Sequence, residues 1–495
     1  MPIRLTGLSS GLDTESIISA LVSSYSYKTD KYKKAQTKLS WKQDAWKSLN
    51  TKVYSLYTSL DSMRFSKNYN LKSTTVSDST KASVTASGDA PNGTQKLNVN
   101  RIAQACYTTG DKIDKNVTSD SALSELGFTD DSGEITLKTA NGAKSTTISV
   151  SKDTKISDFI TSLRDAGLSA NFDTSNKRIF ISAKETGADS NFTLTGADSG
   201  GTKALSALGL GSGSKTIQGT DAKITLNGME YTGSSNSFSI NGLNIEAQAV
   251  TGDGDSNAIL ITTKTDTQGI YDKVKDFLTQ YNSIINEITS LYNADSAKGY
   301  EPLTDDEKDE MSDTEVEKWE EKIKASLLRR DDTLEGLMSA MTTAMSKSYE
   351  VNGKSYSLST FGISTLGYLN APKNEQNAYH IDGDEDDSVV SSNSDKLMSA
   401  LTSDPESVMS FMQQLATGLY NAVGDKMKSS TVSSVYTVYN DKEMASEYSD
   451  YTDTIKKWEE KLSDKQEYYY KKFSSMESAL SKLNSQTSSL TNLFS

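Results

Sequence analysis

The sequence predicts an α+β multidomain protein with terminal coiled-coil helices, a helical bundle core domain and two inserted β-rich lobes. Three observations predict it. Apolar residues recur every seven positions at both ends of the 495-residue chain. Between about residues 73 and 264 the pattern changes to short alternating runs rich in Thr, Ser, Gly and Asn. Helical spacing then returns from residue 271. At roughly 150 residues per domain, a chain of this length holds about three or four units. A mean hydropathy of -0.55 with 5 prolines suits an elongated, helix-rich protein with much exposed surface.

The opening, "LTGLSSGLDTESIISALV", lacks the unbroken apolar stretch of a cleaved secretory signal. Asp13 stands where an N-cap belongs, ahead of Ile17, Ile18, Leu21 and Val22. From there Ile18, Tyr25, Tyr32, Leu39, Trp46, Val53 and Leu60 follow at intervals of seven. Leu21, Ala35, Leu49, Leu56 and Met63 fill a companion row that Lys28 and Lys42 interrupt. A sustained repeat of this kind leaves one apolar stripe that needs a partner. The other end carries a matching stripe: Ile455, Leu462, Tyr469, Met476, Leu483 and Leu490, with Trp458, Ala479 and Leu493 beside it and Phe473 and Leu480 widening it. Sequence leaves open whether the two stripes meet within one chain or between chains.

In the middle, "TTISV", "RIFISA", "KITLNGMEY" and "SFSINGLNIEA" alternate as half-buried strands do, and Asn227-Gly228 and Asn241-Gly242 suit tight hairpin turns. One clear helix is expected there, capped by Thr154, buried through Ile156, Phe159, Ile160 and Leu163, and ended by Gly167. After the strands, Tyr271 to Tyr292 and Leu334 to Met345 repeat at helical spacing. Asp404 and Pro405 then mark a helix start whose buried face is Val408, Phe411, Met412, Leu415 and Leu419. The boundaries that follow are an N-terminal segment over 1–42, a helical core from 43–72 plus 265–440, a β-rich domain from 73–118 plus 216–264, an inserted outer β-rich domain over 119–215, and a C-terminal coiled-coil helix over 441–495.

The chemistry-bearing residues are few. A net charge of -14 argues against a nucleic-acid partner, and no stretch approaches the ~20 apolar residues that cross a bilayer. The one cysteine, Cys106, has no partner for a disulfide and reads as a buried strand residue. The one histidine, His380, sits in a polar loop without a nucleophile elbow elsewhere, so no catalytic residue is expected and the chain reads as not an enzyme. "DGDEDDSVVSSN" alternates Asp382, Asp384 and Asp386 like a calcium loop. It has Asp387 where glycine belongs and Asn393 where glutamate belongs, which favours a solvated acidic turn and no metal. Gly209, Gly211 and Gly213 match no phosphate-loop spacing and read as a flexible connection, and no cofactor is expected. Residues 301–321 hold eleven acidic residues and two lysines and read as an exposed, partly helical excursion.

Gly7, Leu8, Ser10, Gly11, Leu12, Asp13 and Thr14 resemble the N-terminal motif of the bacterial flagellar filament cap family, the second hook-associated proteins. "STFGISTLGY" and "SDKLMSALTSDPESVMSFM" resemble that family's later segments. "TKISDFITSLRDAGLSANFDTSNKRIFISAKETGADS" resembles the inserted β-rich repeats of flagellins and their relatives. The resemblance implies a structural protein at the distal filament end, secreted through the flagellar export apparatus with residues 1–42 as an uncleaved export and coiled-coil segment. It also implies a homo-oligomeric ring of about five or six subunits. Its implied partners are itself, flagellin, hook-filament junction proteins and an export chaperone; host mucin glycans form an adhesive alternative. The implied filament contacts are Ile18, Leu21, Tyr25, Tyr32 and Leu39 on one helix, with Ile455, Trp458, Leu462, Tyr469, Met476, Leu483, Leu490 and Leu493 on the other.

Overall fold

The computed structural model describes residues 11–494, with side chains through residue 490. The chain divides into two compact units, Met1–Tyr69 with Thr267–Ser495, and Asn70–Asp266.

The first unit is organised by two very long helices, Thr14–Met63 and Asp441–Phe494. Neither contains a glycine or a proline, so nothing in the backbone interrupts either one. The first therefore runs unbroken through residues 42 and 43, where the sequence reading divides a terminal segment from the core. Helices Thr267–Tyr292, Asp332–Met345, Lys396–Ser403 and Pro405–Lys426 pack together around its C-terminal half. There Trp46, Leu49, Val53, Leu56 and Leu60 are almost wholly buried. Burial of each such side chain contributes about 1.5–3 kcal/mol. The expected cap at Asp404 is present: its carboxylate accepts the Ser407 N–H at 3.2 Å, with Pro405 in the first turn.

The second unit has two hydrophobic cores. In one, a five-stranded antiparallel sheet, ordered Lys72–Val76, Ile259–Thr265, Gly93–Arg101, Ala222–Leu226 and Met229–Gly233, shares its core with a three-stranded sheet. The strands of the smaller sheet are Ser237–Ile240, Leu243–Ala247 and Ala82–Ala86. Both Asn-Gly pairs make the predicted turns, with positive φ at Asn227, Gly228, Asn241 and Gly242. The other core gathers Cys106, Ile113 and Val117 with residues as far as Leu210. Strand Tyr107–Thr109 pairs with Arg178–Ser182 and Lys215–Ile217, so both flanks of the 119–215 stretch join its sheet, while Cys106, Ile113 and Val117 of the N-terminal flank enter its core.

Several local expectations need correction. Three short helices stand in this unit rather than one: Leu123–Leu126, Ile156–Asp165 and Ser199–Ala207. The third is hidden in sequence because Gly200 and Gly201 read as loop. They are required because a Cβ at Gly201 would collide with the Glu134 carbonyl. Thr154 does not cap the central helix; its hydroxyl accepts the Ser151 N–H at 2.8 Å, and the first turn is served by Asp158. The glycine-rich connection is packed rather than flexible, with Gly209 against Asp111 and its carbonyl accepting the Asp111 N–H at 2.6 Å.

Candidate functional site

The first and last helices form an antiparallel hairpin, and the sequence-predicted contact residues lie on it. Asp13 caps the first helix, its carboxylate accepting the Ser16 N–H at 3.1 Å and the Ser16 hydroxyl at 2.6 Å. From that end the pairing descends the last helix in order. The Tyr470 hydroxyl donates to Glu15 at 2.5 Å, Tyr25 meets Trp458 with ring centroids 6.3 Å apart, and Tyr32 meets Tyr451 at 6.3 Å. Gln36 donates to the Thr452 hydroxyl at 2.7 Å, and Lys33 pairs with Glu459 at 2.7 Å. Farther along, Trp46 stacks on Tyr439 at 5.5 Å with the rings 7° from parallel. Aromatic pairs, each contributing about 0.5–1.5 kcal/mol beyond burial, replace the leucine knobs of an ordinary coiled coil.

The predicted stripe divides into two parts. Ile18, Leu39 and Ile455 are buried, and Tyr25, Tyr32, Trp458, Leu462 and Tyr469 are half-buried. Leu21 is 43% exposed, and Val22 takes the inward position at 2%. A straight helix drifts about 20° per seven residues, so an uncoiled face moves off a strict seven-residue row, and Thr29 joins the buried set for the same reason. Past Tyr470 the last helix continues to Phe494. The Glu15–Tyr470 contact lies in the first turn of the first helix, which begins at Thr14, so in this antiparallel pair most of that stretch extends past the start of the first helix. There Met476 and Leu480 are half-buried, while Leu483 and Leu490 are 57% and 59% exposed. Leu493 falls beyond the described side chains, and Gly7, Leu8 and Ser10 beyond the described residues.

Sequence reasoning missed the brace on this hairpin. Residues 301–321 are not a free excursion. With the following turn they form an arm clamped onto the first helix: Glu307 accepts from Lys34 at 2.6 Å, Asp331 pairs with Lys42 at 2.9 Å, and the Lys324 ammonium lies 4.6 Å from the Trp41 ring centre. The arm is internally tied by the Trp319 indole N–H to the Glu301 carbonyl at 2.9 Å and by nearly complete burial of Ile323 and Leu328. The available signal was the alternation of Lys34, Lys38, Trp41 and Lys42 on a stripe-bearing helix, opposite an acidic run in a distant segment.

The acidic turn is solvated at Asp386, whose side chain is 85% exposed, but it is also anchored by Lys275. Lys275 donates to Asp384 at 2.6 Å and to Asp386 at 2.5 Å, and Asp384 is 8% exposed. Burial opposes a charge on Lys275, but these hydrogen bonds outweigh it and hold the ammonium protonated. His380 Nδ1 lies 2.5 Å from an Asp387 oxygen and its Nε2 is enclosed, so both ring nitrogens are withdrawn from reaction with a substrate in solvent. Cys106 is fully buried. Among the described residues no cluster could hold a metal ion, and no helix is long and apolar enough to cross a membrane.

Comparison with known proteins follows the same two regions. Residues 10–106 match the family model of the flagellar hook-associated protein 2 N-terminus, and residues 219–485 match that of its C-terminus. A flagellar hook-associated protein 2 of Halalkalibacterium halodurans is 24% identical over 557 residues, covering 99% of this chain and 100% of that one. A protein of the same name from Thermotoga maritima is 26% identical, covering 69% of this chain and 52% of its own. Among solved structures, the D1-D2-D3 domains of the flagellar cap protein FliD of Escherichia coli share the fold. The TM-score is 0.52 at 20% identity, over 76% of this chain and 95% of that one.

Proposed function

The chain belongs to the flagellar hook-associated protein 2 family, and from that premise we propose that it caps the distal end of a flagellar filament. In this reading it is exported through the flagellum's own channel and several copies form a ring at the tip. The hairpin descends from each copy as a leg onto filament subunits, and incoming flagellin folds and joins beneath the ring. Mismatch between ring and helical filament symmetry leaves one opening at a time. The bundle of the first unit forms the ring body and the β-rich unit the outer plate.

The observation that supports this reading best is the overhang of the last helix. Beyond Tyr470, which sits against the first turn of the first helix, it carries Met476, Leu480, Leu483 and Leu490 on one face, with Leu483 and Leu490 57% and 59% exposed. An amphipathic helix of this kind buries its stripe against another helix, and filament subunits supply one. The filament-contact roles of Ile18, Leu21, Tyr25, Tyr32 and Leu39 belong to the same proposal, but Tyr25 and Tyr32 meet rings of the chain's own last helix and Ile18 and Leu39 are buried within the chain.

A truncation tests the leg. A chain ending at Tyr470 keeps the hairpin contacts from Glu15–Tyr470 through Tyr25–Trp458 and Tyr32–Tyr451 to Trp46–Tyr439. In flagellated cells lacking their own cap it is expected to be exported and yet fail to support filaments, with flagellin lost to the medium. Filaments of normal length on the truncated chain would refute the leg assignment.

A further inference from the structure

The hairpin carries a cleft of about 490 Å³ near its middle, built from Tyr25 and Lys28 on the first helix and Trp458, Lys461, Asp464 and Lys465 on the last. Its charge pattern is unusual for this chain, which holds 66 acidic residues against 52 basic ones. The ammonium groups of Lys28 and Lys461 each lie 4.4 Å from the centre of the Trp458 ring. Among the described residues Lys28, Lys461 and Lys465 form no ion pair with a carboxylate, and all three are exposed. The indole holds two cations in place without neutralising either. The cleft is a preorganised basic and aromatic surface that fits carboxylates.

The arm offers the complement. Its inner side pairs Glu307, Glu320 and Asp331 with lysines. Asp305, Asp306, Asp309, Glu310 and Glu317 remain exposed and form no ion pair among the described residues. Because the arm is clamped to Lys34 and Lys42, these carboxylates are held in place rather than carried on a loose tail, which lowers the ordering cost of binding.

We propose that the acidic arm of one copy docks into the Trp458 cleft of the next. Height favours this pairing. Glu307 fixes the arm at Lys34, and Lys28 lies six residues away along the same helix, about 9 Å at 1.5 Å per residue. Two copies standing at the same level therefore bring arm and cleft nearly opposite one another. A copy's own arm does not fill its own cleft, since none of the exposed arm carboxylates pairs with the cleft lysines. Arm and cleft are different surfaces, so the contact is heterologous, the type that closes a ring when repeated by rotation. The inference rests on the ring reading and names the contact that would build it.

Charge reversal on the full-length chain tests it, with oligomer distribution read by sedimentation velocity and folding checked by circular dichroism. Lys28→Glu with Lys461→Glu and Lys465→Glu is expected to weaken assembly by about tenfold or more, as is Asp309→Lys with Glu310→Lys and Glu317→Lys. An equimolar mixture of the two folded variants can alternate, so that each arm meets a cleft of opposite charge, and is expected to regain assembly, as is one chain carrying all six substitutions, which matches at every contact. Raising salt is expected to weaken the wild-type oligomer, because exposed charges are screened. Folded reversal variants that assemble like the wild type would overturn the arm-cleft contact while leaving the ring intact. So would a six-fold variant that stays as weak as its parents, or reversals that impair filament growth without touching self-assembly. A wild type that stays monomeric at all concentrations would overturn both.

Discussion

Replacing Trp46 by alanine tests how the hairpin is rooted. Trp46 is 2% exposed and stacks flat on Tyr439, where the last helix begins its antiparallel run. One turn on, Asn50 seals the same junction, donating to the Tyr436 carbonyl at 3.2 Å and accepting the Val438 N–H at 2.9 Å. Truncating a buried tryptophan costs about 3–5 kcal/mol, a figure that includes the lost stack. In a unit of this size each kcal/mol moves the midpoint by about 2 °C, so Trp46→Ala should lower it by about 6–10 °C. Trp458→Ala provides the contrast. That ring is half-buried, with half-buried Tyr25 and two lysines rather than core against it, and its loss should cost about 1–2 kcal/mol and loosen only the outer hairpin. Thermal melts followed by far-ultraviolet circular dichroism read both variants, and hydrogen exchange locates the loosening. A shift below about 2 °C for Trp46→Ala, or a larger one for Trp458→Ala, would refute the idea that the aromatic root holds the hairpin.

Three further outcomes are expected. Lys275→Met strips the cation from nearly buried Asp384 and should destabilise the first unit by about 3 kcal/mol; adding Asp384→Asn should recover most of the loss, and no recovery would show that the pair is not the cause. Cys106, at 0% exposure, should resist a thiol reagent in the folded protein and react once it is unfolded; equal rates would contradict the burial. The Glu307 carboxyl is held below its ordinary range first by the Lys34 hydrogen bond and then by the Thr304 N–H. A carboxylate depressed in the folded state stabilises above its unfolded value of about 4.5 and loses that contribution as pH falls through the folded value. The arm should therefore hold at neutral pH and loosen only in acid below that range. The fluorescence difference between the protein and its Trp319→Phe variant reads this, and loosening near neutrality would count against the clamp.

The parts legible in the sequence are those where one local rule acts alone. Asp13, Asp404 with Pro405, and the two Asn-Gly pairs each announce a cap or a turn through their own chemistry, and the structure places each where that chemistry puts it. The stripes on the terminal helices were legible as faces needing cover, but not the choice of partner, because an intramolecular and an intermolecular seam read alike. The strict repeat also pointed to Leu21 where the helix turns Val22 inward. What stayed hidden depends on contacts between distant segments. Lys34 and Glu307 are 273 positions apart and Lys275 and Asp384 are 109 apart, and neither acidic run reveals which lysine neutralises it. The helix Ser199–Ala207 stayed hidden because its two glycines answer to the close approach of a strand rather than to helix propensity.

The most direct test of the cap is where the protein sits. Gold-labelled antibody against residues 70–266, imaged by electron microscopy on flagellated cells that produce this chain, should mark the distal tips of filaments and nothing else. Label along the shaft, at its base, or absent from filaments altogether would contradict a filament cap.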